Sequence, residues 1–326
     1  MARPRVYIAR RIPQPALDLI AAACDYRMWE DESRPVPREV LLQEIAEADG
    51  VLCSLSERVD AAFLDAAPRC RVVANVAVGY DNMAIPVLTA RRVLATNTPD
   101  VLTETTADLA WALLMAAARR VVEGQKLIEA GGWSGWSLMF MVGQDIHGAT
   151  LGVVGAGRIG AAVLRRARGF GMKLLYHNRR PSPDLEAATG AAYRGLDDLL
   201  RESDFVVVTV PLNEETRGLF GAREFGLMKE TAVFVNIARG AVVKEMELYE
   251  ALKQGRPWAA GLDVFEREPI GPDHPLLTLP NVVAAPHVGS ASVATRTRMA
   301  TLAAENLVAA LTGRRPPTPI NPEVLG

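Results

Sequence analysis

The sequence predicts an α/β protein built on doubly wound parallel sheets in two domains, and three observations carry that prediction. Before residue 98, four short β-rich runs, at 5–9, 50–54, 71–75 and 93–97, alternate with stretches whose apolar residues recur at helical spacing. At residues 151–160, LGVVGAGRIG is an apolar run ending in glycines spaced G-x-G-x-x-G, the pattern of a strand turning into a helix. From there on five more apolar runs follow: MKLLYHN at 172–178, FVVVTV at 205–210, AVFVNIA at 232–238, AAGLDVF at 259–265 and NVVAAPH at 281–287. Runs apolar at nearly every position are strands buried on both faces, as in a parallel sheet covered by helices. The 326 residues, 49% of them apolar, suffice for the cores of about two domains.

Taken in order, the first unit places NVAVGYDN, residues 75–82, directly after a strand, with Gly79 where the chain turns. Backbone N–H groups of such a turn can face a small anion, and the same stretch also reads as an ordinary strand-to-helix connection. After TNTPDVLTETT the spacing predicts one long helix over about 103–130, with Leu109, Leu113, Ala117 and Val121 on its apolar stripe and Thr103 or a neighbouring threonine as cap. A helix apolar around so much of its circumference is expected to be buried between domains or subunits. Gly131 and Gly132 end it, and Trp133, Trp136 and Phe140 follow without periodicity; at least two of these rings are expected to pack beneath the loop. The tail from Ser290 predicts another amphipathic helix, then the proline-rich extended segment RRPPTPINPEVLG.

A net charge of −2 offers no electrostatic reason for a nucleic acid or membrane partner. Cys24, Cys53 and Cys70 are odd in number and widely spaced, so they are expected as small buried hydrophobes in a reduced compartment. The N-terminus MARPRVYIAR lacks the apolar core of a signal peptide, and the apolar run at 109–118 is too short to span a bilayer, so a cytoplasmic protein is expected. His147, His177, His274 and His287 show no metal-ligand spacing, and no metal is expected.

In an open parallel sheet, ligands bind beyond the carboxyl ends of the strands. That rule selects 155–160, 178–180, Val210 with Pro211, 237–239, 263–268 and His287. A dinucleotide suits the first of these: Gly155 for the tight turn, Gly157 for close approach of a pyrophosphate, Gly160 for helix–strand packing. Where an NAD site usually carries an acidic residue for the ribose, this chain has Asn178-Arg179-Arg180, which suits a 2′-phosphate and predicts NADP. Arg239, at the end of a buried strand in NIARG, is costly without a partner, and a substrate carboxylate would supply one. Glu268 in FEREP and His287 in APHVG stand at the next two strand ends. A glutamate beside imidazole favours the protonated ring, which keeps a proton ready for a developing alkoxide. The three residues together predict reduction of a 2-oxo acid.

GAGRIG, NIARG, LDVFEREP and APHVG, in this order, resemble the D-isomer-specific 2-hydroxyacid dehydrogenases, and the whole chain is most similar to their glyoxylate/hydroxypyruvate reductase branch. The resemblance implies a flavodoxin-like substrate domain of residues 1–98 and 288–326, with a Rossmann cofactor domain, 99–287, inserted in it. It implies that Arg239 holds the substrate carboxylate, that His287 is general acid in reduction and base in oxidation, and that Glu268 tunes His287. Leu55, Val78 and Gly79 would bind the carboxylate through a loop. Ala156, Gly157, Arg158 and Ile159 would lie against the pyrophosphate, with Gly155 and Gly160 flanking them in the cofactor site. Ile237, Ala238 and Arg239 would approach the nicotinamide, with Thr106, Val210, Pro211, Asp263, His287 and Gly289 also on the cofactor; Asn178, Arg179 and Arg180 would surround the adenosine ribose and its phosphate. NADPH is then the expected cofactor and a small 2-oxo acid the substrate. A homodimer through the cofactor domains is implied, with Trp136 or Phe140 reaching the partner's pocket. A dehydrogenase for another 2-oxo acid, such as 2-ketogluconate, shares all these motifs, and a cofactor-sensing corepressor-like protein shares the fold.

Overall fold

In the computed structural model, which describes residues 2–325, the chain divides into two compact units, one comprising the residues up to Leu102 and those from Ser290 onward, the other Thr103–Gly289.

The first unit alternates strand and helix: β1 (Arg5–Ile8), α1 (Gln14–Ala23), β2 (Asp25–Met28), α2 (Arg38–Glu44), β3 (Gly50–Cys53), α3 (Ala61–Ala66), β4 (Val72–Asn75), α4 (Ile85–Ala90) and β5 (Leu94–Thr96). All strand pairs are parallel, in the order β2-β1-β3-β4-β5, the flavodoxin-like winding. β3 and β4 are buried at every residue because both faces of the sheet are covered. Leu41, Ile45, Phe63 and Leu88 pack on one face. On the other, Ala16 and Ile20 of α1 meet Ala300, Ala304 and Leu307 of the C-terminal helix Val293–Leu311, which returns to this unit. β2 carries no apolar pattern, since as an edge strand with three exposed residues it has no core face to specify.

The second unit begins with α5 (Thr103–Ala118) and α6 (Val121–Glu129). It continues through β6 (Thr150–Val154), α7 (Arg158–Ala167), β7 (Lys173–His177), α8 (Pro183–Thr189), β8 (Ala192–Tyr193), α9 (Leu196–Glu202) and β9 (Phe205–Val208). Next come α10 (Ala222–Leu227), β10 (Val233–Asn236), α11 (Glu245–Lys253), β11 (Ala259–Leu262) and β12 (Val282–Ala284). These strands form one parallel sheet ordered β12-β11-β10-β9-β6-β7-β8. The chain winds from β6 through β7 and β8, then crosses back to β9 on the other side of β6. In open sheets of this kind, ligands bind at that reversal, beyond the carboxyl ends of the strands.

The single helix expected over 103–130 is two helices. Arg120 adopts φ 54°, a left-handed conformation that ends one helix and starts the next, and its guanidinium bonds Glu123. α5 is buried against α7 and strands β10 to β12 of its own unit. Trp111 at its centre stacks on Phe170, centroids 4.8 Å apart, and donates to the Val163 carbonyl. Contrary to expectation, Trp133, Trp136 and Phe140 are exposed, at 59%, 81% and 40%. No buried apolar residue lies between Val121 and Gln144, so this stretch offers the rings no core to enter. No described helix is long and apolar enough to cross a membrane.

Candidate active site

Every strand of the second sheet runs the same way, so the loops after β6, β7, β9, β10, β11 and β12 open on one edge. After β6, Gly155 turns the chain at φ 92°, and a Cβ there would lie 2.6 Å from Val210 Cγ1 and 2.7 Å from Val210 N. Both the backbone angle and the space therefore require glycine. At Gly160 a Cβ would lie 2.9 Å from Thr209 Oγ1 and Val153 Cγ1, which fixes how closely α7 rides on β6. Gly157, the N-cap of α7, has no heavy atom within 4 Å of its missing Cβ. The first N–H groups of α7 thus border open space, an arrangement that fits the pyrophosphate of a dinucleotide.

At the end of β7, Asn178 Nδ2 donates to the Ala156 carbonyl, 3.3 Å, tying the adjacent loops together. Arg179 and Arg180 are exposed; the Arg179 side chain is 87% accessible and lies 3.9 Å from exposed Glu215, a carboxylate that the linear sequence places 36 residues away. An exposed pair at that distance holds the guanidinium only weakly.

After β10, buried Asn236 folds the corner of NIARG: its Oδ1 accepts from Ala238 N, 3.0 Å, and its Nδ2 donates to the Arg239 carbonyl, 3.0 Å. Arg239 itself is half-buried. The next residue, Gly240, lies flat against the following loop; a Cβ there would stand 1.8 Å from the Phe265 carbonyl carbon. The corner that presents Arg239 and the loop that carries Glu268 are therefore in direct backbone contact.

Glu268 Oε1 accepts from Phe265 N, 2.9 Å, and Oε2 lies 2.6 Å from His287 Nδ1. A carboxylate only accepts, so Nδ1 carries the proton and Nε2 is the nitrogen left to exchange one with a substrate. Partial burial pulls the Glu268 carboxyl upward. Hydrogen bonds from His287 and Phe265 N, with the charges of His287 and Arg239, outweigh that and hold it below the ordinary glutamate value.

His287 sits at φ 54°, which a β-carbon disfavours, and Asp263 imposes it. The Asp263 carbonyl accepts from His287 N, 2.9 Å; its Oδ1 and Oδ2 accept from Val288 N and Gly289 N, each 2.8 Å. Asp263 is 1% exposed, and burial pushes its carboxyl up despite these bonds and the nearby His287. Thr106 stands on the same turn: a Cβ at Gly289 would lie 3.3 Å from Thr106 Cγ2.

Leu55, Val78 and Gly79 belong to the first unit, after β3 and β4. Asn82 Nδ2 donates to the carbonyls of Ser54 and Glu57, at 3.0 and 2.9 Å, Asn75 Nδ2 to that of Gly79, at 3.0 Å, and Asn97 Nδ2 to that of Val78, at 2.8 Å. With these carbonyls held, no acceptor among the described residues takes the N–H groups of Val78 and Gly79. Asn75, Asn82, Asn236 and Asp263's hold on the His287 turn were missed in the sequence. Polar residues closing buried β-strands, as Asn75 and Asn236 do, were the available signal.

The model of the D-isomer specific 2-hydroxyacid dehydrogenase NAD-binding domain matches residues 111–289. A glyoxylate reductase of Thermococcus kodakarensis is 49% identical over 99% of this chain and 98% of its own. Among solved structures, a Thermus thermophilus protein is 42% identical with a TM-score of 0.91, covering 97% of this chain and 99% of that one. An NADPH-dependent glyoxylate/hydroxypyruvate reductase from Sinorhizobium meliloti, solved with NADP and malonate, is 32% identical with a TM-score of 0.84, covering 98% and 97%. The chain belongs to the D-isomer-specific 2-hydroxyacid dehydrogenases, in their glyoxylate reductase branch, and is an NAD(P)-dependent oxidoreductase.

Proposed function

We propose that the protein reduces small 2-oxo acids, glyoxylate to glycolate and hydroxypyruvate to D-glycerate, with NADPH preferred over NADH. The observation that carries this reading is the convergence of Arg239, Glu268 and His287 on three adjacent strand ends, with Glu268 Oε2 2.6 Å from His287 Nδ1. The cofactor would be held along the turn of Gly155, Ala156, Gly157, Arg158, Ile159 and Gly160, by Val210 and Pro211, and by the Thr106–Asp263–Gly289 cluster. Bound there, the reduced nicotinamide supplies the hydride for the substrate's carbonyl carbon. Arg239 grips the substrate carboxylate with its planar pair of donors and orients the carbonyl. His287 Nε2 delivers the proton to the carbonyl oxygen as it becomes an alkoxide, while Glu268 stabilises the positive ring through Nδ1. In the reverse direction the same nitrogen takes the proton back. In the first unit, the N–H groups of Val78 and Gly79, beside Leu55, form a loop suited to a carboxylate.

Arg179 and Arg180 support the NADPH preference: two exposed guanidinium groups follow β7 with no acidic residue at the strand end, and the similar Sinorhizobium reductase is NADPH-dependent. The exposed apolar side chains from Val121 to Val142, Trp136 above all, support a homodimer in which a second copy of the chain covers this stretch and Trp136 or Phe140 reaches the partner's substrate pocket. Three buried free thiols suit a reducing cytoplasm.

The test follows reduced-nicotinamide absorbance with glyoxylate, hydroxypyruvate, pyruvate and 2-ketogluconate, each with NADPH and NADH. Turnover of the first two, faster with NADPH, is expected. Exchange of both Arg179 and Arg180 for serine should weaken NADPH about tenfold or more while leaving NADH unchanged. Turnover of another oxo acid alone would overturn the substrate, and an unchanged NADPH preference in the double variant would remove the role of the arginines.

A further inference from the structure

One half-satisfied polar pair lies beside the active-site loop without a part in the chemistry above. Glu245 opens α11, and His274 precedes the short 3-10 turn Pro275–Thr278. Both side chains are largely buried, 15% and 16% exposed, and His274 Nε2 lies 2.8 Å from Glu245 Oε1. The other carboxylate oxygen, Oε2, accepts from Glu266 N, 2.9 Å. The His274 ring meets Phe265 edge to face, centroids 5.5 Å apart, and its Nδ1 is buried with no partner among the described residues.

One carboxylate therefore holds both ends of the irregular loop from Phe265 to His274, and Glu268 lies between those ends. The connection to the reacting pair is short: Phe265 supports the imidazole with its ring and gives its N–H to Glu268 Oε1, and Glu268 Oε2 faces His287. Gly240 closes the other side, since its missing side chain lets the Phe265–Glu266 backbone lie on the Arg239 corner. An aliphatic side chain at 274 would fill the same space without stranding a ring nitrogen, so packing alone gives no reason for a histidine. Only Nε2 is used, and it is used on the residue that also holds Glu266.

We propose that Glu245 and His274 form a positioning clamp that keeps the Glu268 carboxylate within hydrogen-bond reach of His287. The clamp rests on the reading of His287 as the general acid. It acts through Glu268 and touches neither substrate nor cofactor.

The test compares two substitutions of His274 in the full-length protein. His274→Gln places an amide N–H near the position of Nε2, where Glu245 can accept it; His274→Asn places one near Nδ1, where nothing accepts it. His274→Asn is expected to lower kcat for glyoxylate about ten- to a hundredfold, as a small displacement of a reacting group does. KM for glyoxylate and the dissociation constant of NADPH should stay within about twofold, since binding groups are untouched. His274→Gln should recover most of the lost kcat. If His274→Asn does not fold, Glu245→Leu replaces it: an aliphatic side chain accepts from neither Glu266 N nor His274 Nε2, and kcat should fall likewise. Equal loss in the Gln and Asn variants, or wild-type kcat in folded His274→Asn, would overturn the clamp. His287→Ala in the same assay separates the two readings: if it lowers kcat while folded His274→Asn keeps wild-type kcat, the clamp alone fails, and if it keeps wild-type turnover, the general-acid reading fails and the clamp with it.

Discussion

Arg239 and Glu268 set the character of the site through different physics. Arg239 offers a rigid fork of donors at the end of a buried strand, and lysine would keep the charge and lose the fork. Arg239→Lys should therefore lower kcat/KM for glyoxylate about a hundredfold, by more than 2 kcal/mol, while NADPH affinity measured by fluorescence titration stays within a few-fold. Glu268 is a titrating group whose folded-state value lies below its ordinary one, since His287, Phe265 N and Arg239 together outweigh its burial. Its contribution to stability is therefore present above the ordinary glutamate range and lost as pH falls through the depressed folded value. Thermal midpoints of the wild type and Glu268→Gln should differ at pH 7 and draw together as pH falls from the ordinary glutamate range through the depressed folded value. A gap independent of pH would refute that linkage. Asp263 runs in the opposite sense: burial raises it, so ionising it in the folded state costs stability above its unfolded range, a cost offset in part by the N–H groups of Val288 and Gly289 on its carboxylate, while its main-chain carbonyl holds His287 N at the positive-φ turn.

The corners after β10, β11 and β12 work as one unit because their backbones touch. Gly240→Ala would drive a β-carbon to 1.8 Å from the Phe265 carbonyl carbon, so the Glu268 loop must shift away from Arg239. kcat should fall about a hundredfold with a lowered melting temperature, whereas Gly157→Ala, which meets no heavy atom within 4 Å, should fold normally and weaken NADPH binding. Strands were the most readable elements. FVVV, VFVN and AAGL are buried at every residue, so an unbroken apolar run announces each of them. DYRM of β2 and the two residues of β8 lie at sheet edges, where no buried face is imposed, and neither shows in the sequence. The break between α5 and α6 was equally silent, because Arg120 enters the left-handed region without the glycine or proline that usually marks such a point. Strand-end residues were readable through topology. Of the partners that fix them, Glu245 on Glu266 and Asp263 on Val288 are hydrogen bonds across folded distance that no local pattern encodes.

Across the whole molecule, both units wind helices around a parallel sheet, but only the second combines a glycine turn, a switch point and the Arg239–Glu268–His287 set. Its exposed apolar stretch, Val121 to Val142, is the other feature that a single chain leaves unexplained. Light scattering should give twice the 35.2 kDa chain mass. A monomer at micromolar concentration would remove the second copy from the proposal. Large aromatics are usually buried, which is why the sequence suggests a place under the loop for at least two of Trp133, Trp136 and Phe140; their exposure is legible only once the chain is seen to provide no core there. If His287 gives the proton while a nicotinamide gives the hydride, removing the imidazole takes away the proton source and leaves the cofactor in place. Glyoxylate reduction by wild type and His287→Ala is followed at saturating NADPH, with NADPH affinity titrated on the same samples. A fall in kcat of about a hundred- to ten-thousandfold at unchanged NADPH affinity is the predicted result. Wild-type kcat in His287→Ala would contradict it.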